Sequence, residues 1–195
     1  MQTLIRWLAT EFLLGTLVAT LSILAALSGY QNAMANSNQT KYNVEGQQLL
    51  TDANAEYLAS NQLINYDYSL YDGFATSEDL EKNSYYQQNF SEALQQSLLQ
   101  HPDDPFGPDY YAAMATEASK LFEDADKHFS LAEDFNNRGD ALQLIMLISS
   151  LGLSLSAWAS LLKRSGLKAF FALIAIGLLG YALLLYGLVP KVVNL

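Results

Sequence analysis

Histidines, cysteines and carboxylates at fixed spacing carry most protein chemistry, and this chain has few such groupings. It has no cysteine. Disulfides, thiolate metal sites and a cysteine nucleophile are therefore excluded, and cysteine usage indicates no redox compartment. Its two histidines are His101 and His128. A zinc or di-iron centre needs a carboxylate one helical turn from a histidine, and the residue three before His128 is Ala125, so the Glu-x-x-His pattern fails. His128 instead falls on an apolar helical stripe, where it reads as a hydrogen-bonded packing residue. Asp103, Asp104 and Asp109 crowd a proline turn and offer oxygens suited to Ca²⁺, but without the spacing or glycine of a calcium loop. A solvated turn is expected there. No metalloprotease, nucleophile-elbow or phosphate-loop pattern occurs. We expect no catalytic residue, no metal and no cofactor, hence a non-enzymatic protein.

Two other groups remain. Glu11 is the single acidic residue inside an apolar run, which makes it the candidate for a pore or proton site. It lies about one turn beyond Trp7, so a solvated interfacial position is the expected one. Tyr66, Tyr68, Tyr71, Tyr85, Tyr86, Tyr110 and Tyr111 gather near two turns. Aromatic residues are enriched at recognition surfaces, and they also close small helical cores.

The elements that must position these residues follow from composition. Apolar residues make up 51% of the 195 and charged residues 15%, against about 25% charged in a soluble domain. The charge is also uneven. Residues 31–140 carry a net −14, and the rest carries +4. An acidic middle between apolar, slightly basic ends describes a membrane protein with a polar insert. The acidity excludes a nucleic-acid partner, since a duplex binder needs basic residues at the phosphates.

Residues 7–30, 141–162 and 167–189 each exceed the roughly 20 residues needed to cross a bilayer. Trp7, Tyr30, Tyr181 and Tyr186 lie toward their ends, as interfacial aromatics do. Arg6 and the small residues Ala33-Met34-Ala35 give the first run a resemblance to a signal peptide, but an uncleaved anchor is expected. The turn Lys163-Arg164-Ser165-Gly166-Leu167-Lys168 is short and basic, which places it in the cytoplasm together with Arg6. Residues 31–140 then face the periplasm or a lumen, as does the tail with Lys191.

Within the insert, helical spacing appears over 41–66, 78–100 and from 109 onward. Thr76 and Asp79 form a candidate capping pair. The tract 101–108, with three prolines, breaks the chain, and Pro108 suits a first helical turn. The third stretch shows a heptad seam through Ala118, Leu121, Ala125, His128, Ala132, Phe135 and Gly139. Ala118, Ala125, Ala132 and Gly139 are its small members, admitting a close partner helix. No proline interrupts 109–161, so one nearly continuous helix is expected. Arg138-Gly139-Asp140 spells an adhesion tripeptide, but it lies inside this helix and reads as chance. The membrane runs have stripes of their own: Gly15, Ala19, Ser22 and Ala26 in the first, Gly152 and Ser156 in the second, Gly177 and Gly180 in the third. Helices in lipid commonly associate through such close-packed small residues.

The order of one membrane helix, a helical insert, and a helix running into a membrane hairpin resembles a bacterial family of small inner-membrane proteins known only as a domain of unknown function. The likeness is greatest over residues 117–189, from EASKLFEDADKHFSLAEDFNN through the Lys163-Arg164 turn to the glycine-rich last helix. Ala53, Tyr57 and Ala59 lend weaker support, and residues 67–108 match nothing in it. Family members often carry a longer charged segment before the first membrane helix than stands here. The resemblance implies a bacterial inner-membrane location and brings no catalytic residues.

The expected fold is an all-α membrane protein. It has three transmembrane helices and an extramembrane antiparallel helical domain continuous with the second of them. The divisions are a first transmembrane helix at 1–30, an acidic periplasmic domain at 31–140 and a transmembrane hairpin at 141–195. The expected function is an assembly or interaction subunit. Its partners are the bilayer and either further copies of itself or a larger membrane complex. The alternative is an oligomeric channel lined by Glu11 and the second-run serines Ser149, Ser150, Ser154, Ser156 and Ser160.

Overall fold

The computed structural model describes residues 8–192; Arg6 and Trp7, on which part of the topology argument rests, lie outside them. Five α-helices and no strand are found among the described residues. They are α1 (Glu11–Thr76), α2 (Leu80–Asn89), α3 (Glu92–Gln100), α4 (Pro108–Leu161) and α5 (Ser165–Gly187). Helices α1, α4 and α5 each contain a stretch long and apolar enough to cross a membrane, with mean hydropathy of 2.0, 1.8 and 2.3.

Two differences from the sequence expectation concern helix ends. The first apolar run and the 41–66 stretch are one unbroken helix, α1. The intervening QNAMANSNQT is rich in residues of modest helix propensity, yet contacts with α4 hold it helical. Gln39 Nε2 donates to Asn136 Oδ1 at 3.0 Å, and Tyr42 stacks on Phe135 with centroids 5.6 Å apart. Conversely, the 78–100 stretch is two helices. Phe90 is extended (φ −61°, ψ 145°), and Ser91 starts α3 by accepting from the Leu94 N–H at 3.1 Å. The α2 cap is Asp79 alone, whose carboxylate accepts from the N–H groups of Glu81 and Lys82; Thr76 bonds back to the Asp72 carbonyl within α1. Pro108 opens α4, where a missing N–H costs nothing.

The chain forms two compact units. The first comprises residues up to Asn43 and from Ser130 onward. Residues 31–43 and 130–140, grouped by charge with the insert, thus belong to the unit that holds the apolar runs. Its core is layered. Leu14 packs with Ala159 and Ala172, Leu17 and Leu21 with Ala175, and Leu24 with Ile145 and Ala182. The large knobs come from α1, and the space to receive them comes from α4 and α5. A Cβ on Gly152 would lie 3.1 Å from Leu21 Cδ2, so this glycine is a socket for a leucine. Farther along, a Cβ on Gly139 would lie 2.8 Å from Asn36 Oδ1. Gln31 Nε2 donates to the Tyr186 hydroxyl at 2.8 Å.

The small-residue stripes of the three runs are divided by this packing between the inside and the outside of the chain. Gly152 and Ser156 are buried, but Gly15, Ala19, Ala26, Gly177 and Gly180 are exposed and Ser22 is half-buried. A leucine face offers more dispersion contacts than a small-residue face, and α1 turns its leucines inward.

The second unit spans Val44–Phe129. There α1 and α4 approach closely through small residues. Ala53, Ala118 and Ala125 are buried, and a Cβ on Gly46 would lie 2.9 Å from the Phe129 ring. Where they diverge, α2 and α3 fill the gap with a core of Leu70, Phe90, Leu94 and Tyr110.

Candidate interaction surface

The second unit is organised around a buried carboxylate. Asp67 on α1 has no exposed surface. Its Oδ1 accepts from the Ser91 N–H at 2.9 Å. Its Oδ2 accepts from Ser91 Oγ at 2.5 Å and from the Tyr110 hydroxyl at 2.9 Å. One side chain thereby ties α1 to the start of α3 and to the first turn of α4. Burying a carboxylate without partners is costly, and three donors meet that cost here. Burial, the bond to Asp67 and the charge of that carboxylate together push the Tyr110 hydroxyl well above the usual tyrosine range. The sequence held a signal for this site. Asp67 is on the heptad spacing that runs from Ala53 through Ser60 to Phe74, where an apolar residue is the norm, and Ser91-Glu92 opens a helix as N-capping residues do.

The tyrosines divide into two sets, one inside the unit and one on its surface. Tyr110 is buried and Tyr71 and Tyr86 are half-buried. Tyr71 meets Phe106 edge-on at 5.3 Å, and Tyr110 does the same at 5.1 Å. These rings build the core. Tyr66, Tyr68, Tyr85 and Tyr111 are exposed. The Tyr68 and Tyr111 hydroxyls hydrogen-bond across α1 and α4, and that bond raises the Tyr68 pKa. Tyr68 also stacks on Phe106 at 4.2 Å.

Beside this pair lies a groove of about 230 Å³ lined by Tyr57, Ser60, Asn61 and Ile64 of α1 and by Tyr111, Met114 and Ala115 of α4. The α1 members follow steps of three, one and three, so they form one helical face. Tyr57 and Leu58 are more than half exposed, at 52% and 59%, too much for core residues. Two aromatic walls, a methionine floor and a few polar groups can accept apolar side chains from another helix.

The remaining candidate residues are placed as follows. Along the seam Ala118, Ala125, Ala132, Phe135 and Gly139 are buried, and Leu121 and His128 are half-buried. His128 Nδ1 lies 2.8 Å from the Asp124 carbonyl oxygen, and Nε2 lies 3.7 Å from Glu45. Glu11 is exposed in the first turn of α1, where a carboxylate complements the helix dipole. Of the serines in α4, Ser149 and Ser156 are buried within the first unit, while Ser150, Ser154 and Ser160 are exposed and bond to carbonyls of their own helix. His101 Nε2 lies 3.2 Å from Asp109 Oδ2 at the proline turn. No group of three or more histidine, aspartate or glutamate side chains able to hold a metal ion occurs among the described residues. Comparison with family models, with curated proteins and with solved structures finds no match to this chain.

Proposed function

We propose that this protein is a non-enzymatic integral membrane subunit that assembles with copies of itself or within a larger membrane complex. The observation that carries this reading is the outward direction of Gly15, Gly177 and Gly180. A Cβ at any of them would meet nothing within 4 Å. Glycine inside a helix costs about 1 kcal/mol relative to alanine, and these three gain no contact within their own chain in return. Close approach of another helix is what such positions offer in lipid. The tyrosine-walled groove of the second unit supports a second contact, outside the bilayer.

In this reading the residue 163–168 turn is cytoplasmic and residues 31–140 form an acidic helical domain on the opposite side, continuous with α4. The resemblance to the bacterial domain-of-unknown-function family supports the inner membrane as the location. A channel would need a ring of subunits, and two of the five serines assigned to its lining are enclosed within one chain. Assembly is therefore the favoured reading. Native mass spectrometry of the full chain in mild detergent tests it. Particles larger than the 21.5 kDa monomer, or a stable companion protein, are expected. A strictly monomeric particle with no companion overturns the reading.

A further inference from the structure

The α4–α5 hairpin closes at residues 162–164, so its open end brings together residues far apart in sequence. Arg138 lies three residues before the apolar run of α4, and Lys191 lies two after that of α5. Both line an open cavity of about 400 Å³ with Asn38 of α1, Phe135 and Val192. Arg138 Nη1 donates to the Pro190 carbonyl at 2.6 Å, which fixes the guanidinium against the tail and leaves its other donors available. Neither cation has a carboxylate within ion-pair distance among the described residues. This is unexpected in its surroundings, because residues 31–140 contain 19 acidic side chains and only five basic ones. Asp134 and Asp140 are near Arg138 in sequence and both are exposed, and Asp140 accepts from Asn136 Nδ2 at 3.5 Å.

We propose that this cavity binds the phosphate of an anionic phospholipid headgroup. The level is right, because headgroups border the hydrocarbon core at the points where apolar helix runs end. The chemistry is right as well. A guanidinium offers paired N–H donors to two phosphate oxygens, a lysine adds a point charge, and the Asn38 amide adds a neutral donor. Phe135 and Val192 give the cavity an apolar wall for the glycerol backbone. A free phosphate shares the oxyanion chemistry but has no use for that wall or for the membrane level. The site is independent of whether the chain self-associates.

The test is native mass spectrometry of the full chain, titrated with phosphatidylglycerol or phosphatidylcholine in the same micelles, and separately with inorganic phosphate. Phosphatidylglycerol should be preferred. Each basic residue near a membrane surface contributes about five-fold in affinity for anionic lipid, so Lys191→Gln and Arg138→Gln should each reduce the preference by about that factor. Arg138→Lys should fall between wild type and Arg138→Gln. Lys191 makes no hydrogen bond or ion pair among the described residues, so its variant reports on binding even if Arg138→Gln loosens the tail. Lys120→Gln, an exposed lysine 21 residues before the apolar run of α4, should leave the preference unchanged. An undiminished preference in Lys191→Gln overturns the proposal. Binding of inorganic phosphate with no discrimination between the two lipids overturns it too.

Discussion

Asp67 shows how a single side chain fixes the second unit. Its carboxylate accepts three bonds, two from Ser91 at the start of α3 and one from Tyr110 of α4. Replacing it with alanine strands the Ser91 N–H and the Tyr110 hydroxyl in a buried site. Each stranded donor costs about 1–3 kcal/mol, so Asp67→Ala should lower the thermal midpoint more than any exposed carboxylate substitution, such as Asp52→Ala. Circular dichroism melts in one detergent decide this, and equal midpoints would remove Asp67 from its role. Tyr110 adds a pH dependence. Its folded pKa is raised above the unfolded value of about 10. The protonated hydroxyl therefore supports folding fully below pH about 10, and that support is lost as pH rises beyond it, because the unfolded chain releases the proton first. Melts from pH 8 to 11 should show stability falling at the alkaline end, with a shallower fall in Tyr110→Phe. Of this site, the aromatic concentration was legible in the sequence. The division of tyrosines into core and surface was not, because it depends on where α2 and α3 dock.

At the scale of the element, α4 was the most legible part of the chain. Its seam carries small residues at regular spacing with no proline from 109 to 161, and Pro108–Leu161 is one helix. Ala125 and Ala132 are 0% and 2% exposed. Leucine at either should overpack the contact and cost about 1–3 kcal/mol. Leucine at Asp126 or Lys127, both exposed, should fall within about ±0.5 kcal/mol. Leucine is nearly as good a helix former as alanine, so propensity cannot mimic the difference. If all four variants melt alike, the seam is not a packing face. Two other boundaries were illegible for a common reason: tertiary contacts override local preference. The polar stretch 31–40 stays helical against α4, and the helical pattern over 78–100 breaks at Ser91, where Asp67 holds the N–H and hydroxyl.

For the whole molecule, three membrane-length apolar runs could be read directly from hydropathy, but the direction each helix faces could not. Residues 11–30 carry a leucine face and a small-residue face with the same helical period. Both faces are apolar, so the contrast of polar and apolar sides that orients a surface helix is missing. The structure turns Leu14, Leu17, Leu21 and Leu24 inward and leaves Gly15, Ala19 and Ala26 outside. Topology can be measured without background labelling, because the chain has no cysteine. In the proposed orientation, an impermeant maleimide applied to the outer side of the intact membrane that holds the protein should label Asp103→Cys and spare Gly166→Cys. The reverse pattern would invert the proposed orientation.

The central claim is that outward small residues on α5 receive another protein helix. Leu184 lies two turns beyond Gly177 on the same face, and Leu183 lies about 120° away from Gly177 around the helix; both leucines are exposed, at 59% and 52%. A photo-crosslinking residue placed at Leu184 in native membranes should form a discrete protein adduct, whereas the same residue at Leu183 should form none. No protein adduct at Leu184, or equal adducts at both positions, would contradict the assembly account.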